Sequence, residues 1–131
     1  MNKKYVPKSL SKEDKAKQIK SIKNKTVRPK LKSFESKRSP YVVAFEKKYN
    51  TKITDDAYIS KNIISKAGID KILDKGMGAY FSSGSRPNQT PESWGRARLA
   101  SVIMNGPARK VEPFRVPNDK DIWQKFSKVW C

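Results

Sequence analysis

The uneven distribution of charge limits what this chain can fold into. Residues 1–40 carry 14 basic and 3 acidic side chains, a net charge of +11, whereas residues 41–131 carry 16 basic and 9 acidic side chains, a net charge of +7. A segment so rich in lysine and so poor in large apolar residues does not form a hydrophobic core alone, because its like charges repel one another. We therefore predict a basic N-terminal arm at residues 1–38, a small domain at residues 39–131, and an anionic partner.

The rest of the composition excludes several classes of protein. The chain of 131 residues has the length of one domain, contains no apolar run long enough for a transmembrane helix, and shows no apolar signal-peptide core behind Met1. Cys131 is the only cysteine and histidine is absent. An internal disulfide and a structural zinc site are therefore not expected, and we predict neither a metal nor a cofactor.

Residues 11–24 of the basic arm have the pattern of a marginal helix. Ser11 and Asp14 resemble a capping box, and Ala16, Ile19 and Ile22 follow at helical spacing as a thin apolar stripe. The basic side chains would surround most of this helix, which favours contact with a diffuse anionic surface over reading of bases. The predicted contact residues are Lys3, Lys4, Lys8, Lys12, Lys15, Lys20, Lys23, Arg28, Lys30 and Lys32. A solvated, disordered tail is the alternative.

Capping and stop signals divide residues 39–131 into helices. Ser39-Pro40, Thr54 and Thr90-Pro91 are typical helix starts, since a hydroxyl caps the first turn and proline suits the first helical position. The predicted helices cover about residues 40–50, 54–66, 69–75, 91–105 and 119–130, and residues 111–117 are expected to be extended. The sequence thus predicts a mainly α fold with little β structure and an extended basic arm.

Residues 76–90 read as a glycine-rich loop, in which a short strand at 79–82 is one option. N–H groups of the loop, an arginine and the positive end of the following helix could together bind a phosphate or a carboxylate. The candidate anion loop consists of Gly84, Ser85, Arg86 and Arg96. The pattern is neither a Walker loop nor a dinucleotide fingerprint. A purely structural loop is the alternative, with Arg86 paired to a carboxylate.

Arg96 and Arg98 are expected on different faces of the helix that follows this loop. A bridge from one of them to Asp70 or Asp74 would support the loop. The small side chains between them favour close packing against another helix.

Three large aromatic residues mark the terminal helix: Trp123, Phe126 and Trp130. They either close the core of the domain or anchor in a pocket of a neighbouring protein, since tryptophan is enriched at interface hot spots.

The sequence gives little support for catalysis. No nucleophile stands beside a recognisable base, and the acidic pairs at Asp55-Asp56 and Asp119/Asp121 are better explained as helix-start residues. We predict no catalytic residues and no enzymatic activity.

Several stretches resemble a family of small basic proteins from large DNA viruses of algae and some large bacteriophages, whose shared domain has no assigned function. The stretches are Ile22-Lys, the run Arg28-Pro-Lys-Leu-Lys-Ser-Phe-Glu-Ser-Lys-Arg-Ser39, Lys71-Ile-Leu-Asp-Lys-Gly76 and the loop-helix motif Tyr80-Phe-Ser-Ser-Gly-Ser-Arg-Pro-Asn-Gln-Thr-Pro-Glu-Ser-Trp-Gly-Arg-Ala-Arg-Leu-Ala-Ser101. The similarity covers roughly residues 15–110, and the part after Glu112 has no counterpart in it. The loop-helix motif is the distinctive part.

The resemblance implies a viral setting. Our leading hypothesis is a non-enzymatic virion structural protein, a minor capsid or cement component whose basic arm clamps acidic surfaces of other capsid proteins. The alternative hypothesis is a nucleic-acid-binding protein without sequence preference that packages DNA, using the arm lysines with Arg86, Arg96, Arg98 and Arg109. Contact with an anionic membrane is a third option. The expected location is the virion, after synthesis inside the host cell.

Overall fold

The computed structural model describes residues 3–35, 38–109 and 119–128. These ranges form six helices and almost no strand, which confirms the mainly α fold. The helices are α1 (Lys12–Lys23), α2 (Pro40–Tyr49), α3 (Asp56–Asn62), α4 (Lys66–Ser82), α5 (Pro91–Ile103) and α6 (Asp119–Phe126).

Two of the predicted helix starts are confirmed by their caps. The Ser39 hydroxyl accepts a hydrogen bond from the N–H of Tyr41 at the start of α2. At the start of α5, Thr90 and Ser93 bond reciprocally, each side chain accepting the backbone N–H of the other at 2.9–3.0 Å. These bonds satisfy N–H groups that have no partner inside a helix.

The cap of α3 differs from the prediction. Asp55 rather than Thr54 caps this helix, because its carboxylate accepts the N–H of Tyr58 at 3.1 Å and the Thr51 hydroxyl at 2.7 Å. The helix ends at Asn62, and Ser65 caps the next one. The prediction of one helix reaching Lys66 was therefore wrong.

Helix α4 is longer than predicted and extends through Gly76, where the sequence predicted that the helix would end and the loop begin. Gly76 is buried where α4 crosses α5, and a Cβ at this position would lie 2.6 Å from the Cα of Gly95. Two glycines at one crossing let the two backbones touch, so Gly76 serves helix packing rather than helix termination. Residues 76–82 are helical, which corrects both the loop start at 76 and the strand option at 79–82.

The hydrophobic core lies among helices α2 to α6. Helices α4 and α5 make the most extensive contact, and α2 and α6 pack against α5, with α6 also on α4. Fully buried aliphatic residues of three helices and of the connection between α3 and α4 meet here: Ile59, Ile63, Ile64, Ile69, Ile72, Leu99 and Val102. Burial of apolar area is the main source of stability in a domain of this size.

Helix α6 completes this core. Ile122 and Trp123 are buried in it and Phe126 packs against it. The end of α6 is also fixed by backbone bonds, from the N–H of Ser65 to the Phe126 carbonyl and from the N–H of Lys128 to the Ile63 carbonyl. Trp123 therefore closes the core, while Trp130 and the predicted extended residues 111–117 lie outside the described residues.

None of the helices in the described ranges is both long and apolar enough to cross a membrane.

Candidate functional site

Helix α1 packs against the rest of the chain through a polar face. Asp14, Gln18 and Ser21 are its buried residues, whereas Ala16 is exposed and Ile19 and Ile22 are only partly buried. The predicted apolar stripe is therefore not the buried face. Polar side chains bury at low cost only when they find hydrogen-bond partners, so the partners of these residues define how α1 is attached.

Gln18 is the central contact of α1. Its side chain is fully buried, and Nε2 donates to the backbone carbonyls of Tyr5 at 2.9 Å and Ser85 at 3.0 Å. One amide thus joins the segment before α1 to the loop after α4, 67 residues further along the chain.

Asp14 fixes the return of the chain after α1. Its Oδ2 accepts from the Ser33 hydroxyl at 2.5 Å and from the Ser33 N–H at 3.0 Å, and the Ser33 hydroxyl accepts the N–H of Ser11. The hydrogen bonds from Ser33 lower the pKa of the Asp14 carboxyl below its ordinary value, because they favour the charged form. The carboxylate therefore acts as an acceptor within the fold and not only as a helix-start charge.

Arg28 is buried against the C-terminal end of α4. Its guanidinium lies 4.5 Å from the centre of the Tyr80 ring, and Nη2 donates to the Tyr80 carbonyl at 3.0 Å and to the Thr26 carbonyl at 2.9 Å. The backbone N–H of Arg28 also donates to the Tyr80 hydroxyl at 2.6 Å. A cation at the C-terminal end of a helix is favourable, because it meets carbonyls that have no partner within the helix. Arg28 was predicted as an anion contact, and its burial corrects that assignment.

Asn88 holds the chain beyond Arg28. It adopts a left-handed conformation with φ of 61°, which asparagine tolerates better than most residues. Its side-chain oxygen accepts the N–H of Leu31 at 2.6 Å, and its side-chain nitrogen donates to the carbonyls of Leu31 and Phe34. Leu31 is buried beside it.

Gly84 allows the remaining close approach. Its φ of +113° is rarely open to other residues, and a Cβ there would lie 3.1 Å from the Tyr5 ring and 3.2 Å from the Ile22 side chain. The segment formed by residues 3–35, here called the N-terminal segment, therefore rests on residues 80–89 through backbone, amide and ring contacts.

The outward side of α1 carries lysines. Successive residues of a helix are about 100° apart, so Lys12, Lys20 and Lys23 fall within an arc of about 80° opposite the buried face, and they span about 16 Å along the axis. All three are exposed. In the described part of the chain the ion pairs involve Arg38, Lys66, Lys75, Arg96 and Arg98, so these three lysines are not neutralised by one. We call them the lysine stripe.

The other predicted contact lysines surround the lysine stripe in the N-terminal segment. Exposed lysines in the turns before and after α1 are Lys3, Lys4, Lys8, Lys30 and Lys32, and Lys15 is partly buried on α1. Arg86 is exposed directly after Ser85, whose carbonyl accepts from Gln18 of α1. Arg86 thus lies beside the N-terminal segment and adds to its positive charge.

The four residues of the candidate anion loop are bonded to different parts of the fold. The N–H of Gly84 donates to the Ala79 carbonyl at 3.1 Å, Ser85 is fully buried with its hydroxyl bonded to the Arg86 carbonyl, and Arg96 bonds elsewhere. The loop serves mainly as the docking surface of the N-terminal segment. Sequence reasoning missed Gln18 and Asn88, whose only signal was an amide in a lysine-rich stretch and an amide in the loop-helix motif.

Arg96 connects α5 to the start of α3. Its two terminal nitrogens bond the two Asp56 oxygens at 2.5 and 3.1 Å, and Nη1 also donates to the Ile53 carbonyl at 3.3 Å. The bond from Arg96 lowers the pKa of the Asp56 carboxyl, since it stabilises the charged form. The predicted bridge to Asp70 or Asp74 was wrong.

Arg98 binds the first residue of α6. Its Nε donates to Asp119 Oδ2 at 2.6 Å, Lys75 lies 3.3 Å from Oδ1, and the Asp119 carboxylate is fully buried. Two cations thus compensate one buried anion where α4, α5 and α6 meet.

A groove of about 810 Å³ lies between α2, α4 and α5. Val42, Ile53, Leu73 and Met77 supply apolar wall, and Arg38 and Arg96 lie among the polar lining residues. Arg38 is paired with Glu46 at 2.7 Å and Arg96 with Asp56, so the arginines of the groove are engaged by carboxylates. Across the ranges that the structure describes, no group of three acidic or thiol side chains is placed to hold a metal ion.

Comparison with known families gives one match. The model of a family of unknown function, DUF5824, matches residues 3–123. The chain belongs to this family. No curated protein and no solved structure matches significantly.

The DUF5824 match begins in the N-terminal segment and reaches Trp123 of α6. It therefore includes both the lysine-bearing helix α1 and the loop on which that helix docks. The resemblance to an uncharacterised domain family is confirmed at this level.

Proposed function

We propose that this DUF5824 protein is a non-enzymatic protein that binds nucleic acid without sequence preference. The lysine stripe and the exposed basic residues around it would contact phosphates. The single observation that carries the proposal is that three exposed lysines of α1, without ion-pair partners among the described residues, share one outward face of a helix that is fixed by buried contacts.

The charge of the surrounding chain supports the same conclusion. The N-terminal segment, residues 3–35, contains twelve basic and three acidic residues, and residues 80–89, on which it rests, add Arg86 and no acidic residue. When lysines and arginines neutralise phosphates, the cations condensed on the nucleic acid are released, which provides affinity without recognition of bases.

The docking of the N-terminal segment favours nucleic-acid binding over a clamp on other capsid proteins. A clamp over neighbouring subunits needs an arm that leaves its own domain, whereas here Gln18, Arg28 and Leu31 bind residues 80–88 of the same chain. A fixed positive face suits a repeating polyanion, because regularly spaced phosphates meet it without ordering a flexible arm.

The salt dependence of binding tests this proposal. Fluorescence anisotropy of the full-length protein with labelled oligonucleotides of unrelated sequences would give association constants at several salt concentrations. We expect similar affinities across sequences. The logarithm of the association constant should fall with the logarithm of the salt concentration with a slope of several units, since each neutralised phosphate contributes about 0.7–0.9. A slope near zero would exclude the proposal.

Two matched triple variants test whether the lysine stripe is the binding surface. Replacement of Lys12, Lys20 and Lys23 by Gln should reduce the slope by about 2–3 units, because three phosphate contacts are lost. Replacement of Lys47, Lys61 and Lys71, three exposed lysines of other helices, removes the same charge and should change the slope less. Equal effects of the two triples would show that net charge rather than this face determines binding.

A virion structural protein is the second candidate, and it follows from the resemblance to proteins of large DNA viruses. The same basic face would then bind an acidic surface of another capsid protein, and the protein would be carried in the particle. Cryo-electron microscopy of intact particles of the encoding virus should show copies in the shell. Particles without any copy would exclude this candidate.

A further inference from the structure

Two apolar side chains lie exposed beside the contact of Arg28 with Tyr80. Among the described residues, the exposed large hydrophobics are Val27, Val43 and Phe81, with exposed fractions of 57%, 48% and 36%. Val27 precedes Arg28 and Phe81 follows Tyr80, so two of the three are neighbours of one buried contact. The third, Val43, is on α2.

The Phe81 ring stands on a rigid support. It lies edge-on against the Tyr80 ring, with centroids 5.0 Å apart and an angle of 81° between the planes. Tyr80 is itself fully buried and fixed, because its hydroxyl accepts the N–H of Arg28 and donates to the Gln89 carbonyl at 2.9 Å. An aromatic ring held in this way loses little conformational entropy when a flat partner packs against it.

Exposed lysines lie close in sequence to Arg28, whose guanidinium packs on the same Tyr80 ring that supports Phe81. Lys25 and Lys30 are exposed within three residues of Arg28, and Lys23 of the lysine stripe precedes them. Residues 80–89, on which the N-terminal segment rests, contain no acidic residue. An exposed aromatic ring beside a segment that carries exposed lysines is complementary to a ligand that combines flat apolar faces with negative charge.

We propose that Phe81 is a stacking site for the bases of single-stranded nucleic acid. This inference rests on the proposed function and specifies its ligand. In a duplex the base faces are covered by their neighbours, so a protruding ring reaches them only at the cost of unstacking a base step. In a single strand the bases stack on exposed aromatic rings while lysines bind the backbone.

The test compares single-stranded and duplex oligonucleotides of equal length, with full-length wild type and Phe81→Ala. We expect Phe81→Ala to weaken single-strand binding by roughly 5- to 150-fold, the equivalent of one stacked base, and to change duplex binding by less than about threefold. The salt slope should not change, because no charge is removed. Val43→Ala is the matched control at another exposed apolar side chain and should leave both affinities unchanged.

Two further substitutions separate aromatic stacking from general apolar contact. Phe81→Trp keeps an aromatic face and should restore single-strand affinity, whereas Phe81→Leu keeps apolar area without that face and should not.

The outcomes of the two proposals are distinguishable. Equal single-strand affinity of wild type and Phe81→Ala, or an equal loss for both strand forms, would overturn the stacking site, and an unchanged salt slope would then leave the proposed function intact. The stacking site would also be overturned if Phe81→Ala abolished binding of a protein partner and left oligonucleotide binding unchanged. If neither strand form bound at low salt, the proposed function itself would fail.

Discussion

Tyr80 joins three parts of the chain through one side chain. Its hydroxyl bonds Arg28 and Gln89, and its ring lies beneath the Arg28 guanidinium. Arg28 is 5% exposed, and its Nε and Nη1 have no hydrogen-bond partner within the described ranges. Burial of a cation with unsatisfied N–H groups destabilises the folded state. The ring and the carbonyl of Tyr80 offset much of this desolvation cost, because both contact the guanidinium.

Substitution of Tyr80 by Phe should therefore destabilise the protein while preserving its packing. Loss of the hydroxyl leaves the Arg28 N–H and the Gln89 carbonyl without their partner, at a cost of about 1–3 kcal/mol in the free energy of unfolding. Urea denaturation measures this cost. Tyr58→Phe is the control, since that ring packs against Tyr49 and keeps this contact. Equal stability of Tyr80→Phe and wild type would show that the hydroxyl bonds contribute nothing net.

Gly76 and Gly78 give a second prediction at the scale of single residues. A Cβ at Gly76 would meet the Gly95 backbone at 2.6 Å, whereas a Cβ at Gly78 would meet nothing within 4 Å. Gly76→Ala should lower the free energy of unfolding by about 1–3 kcal/mol, because α4 and α5 must separate. Gly78→Ala should raise it by about 0.5–1 kcal/mol through helix propensity. A stabilised Gly76→Ala variant would contradict the close crossing.

At the scale of elements, α1 depends on polar contacts and not on an apolar stripe. Gln18, Asp14 and Asn88 provide specific bonds to distant carbonyls and N–H groups. Such bonds fix position well but contribute little net free energy, because water would satisfy the same groups in the open state. Helix α1 should thus open more readily than α4 and α5, which share the hydrophobic core.

Hydrogen exchange monitored by mass spectrometry tests this expectation. Gln18→Ala should accelerate exchange in residues 12–23 by at least about fivefold, since two carbonyls lose their donor. Exchange in α4 and α5 should be nearly unchanged. Lys17→Ala, an exposed neighbour on the same helix, is the control. If both variants exchanged alike in α1, Gln18 would not be the contact that holds this helix.

The contrast between α5 and α1 shows what the sequence could predict. The start of α5 was predictable because Thr90, Pro91 and Ser93 act within one turn. The buried face of α1 was not, because Gln18 is buried by carbonyls up to 67 residues away, and no local pattern encodes such a pairing. For the same reason the extension of α4 through Gly76 depended on Gly95. The lysine stripe lies opposite that buried face, so its exposure could not be predicted without knowing which face of α1 is buried.

At the scale of the whole molecule, three carboxylates connect separate parts of the fold and set its response to acid. Asp14 binds Ser33, Glu46 binds Arg38, and Asp56 binds Arg96. Hydrogen bonds from these partners lower the pKa of each carboxyl below its ordinary value. The folded state therefore binds fewer protons than the unfolded state at mildly acidic pH.

Stability should accordingly fall as the pH is lowered. The contribution of these carboxylates is complete above their unfolded pKa values and is lost as the pH falls through the lower folded values, so the loss should begin below about pH 5. Urea midpoints at pH 6, 5, 4 and 3 measure it. Asp56→Asn should be less stable than wild type at pH 6 and converge with it at pH 3. A constant difference across this range would exclude Asp56 as a source of the pH dependence.

The bond between Arg28 and Tyr80 also has a consequence for biosynthesis. The two residues are 52 positions apart, and ribosomes add about 5–20 residues per second. The N-terminal segment therefore leaves the ribosome about 3–10 s before its docking surface exists. During this interval the N-terminal segment has none of the contacts that later orient its lysines. Completion of residues 80–89 therefore sets the moment at which α1 can take up its final orientation.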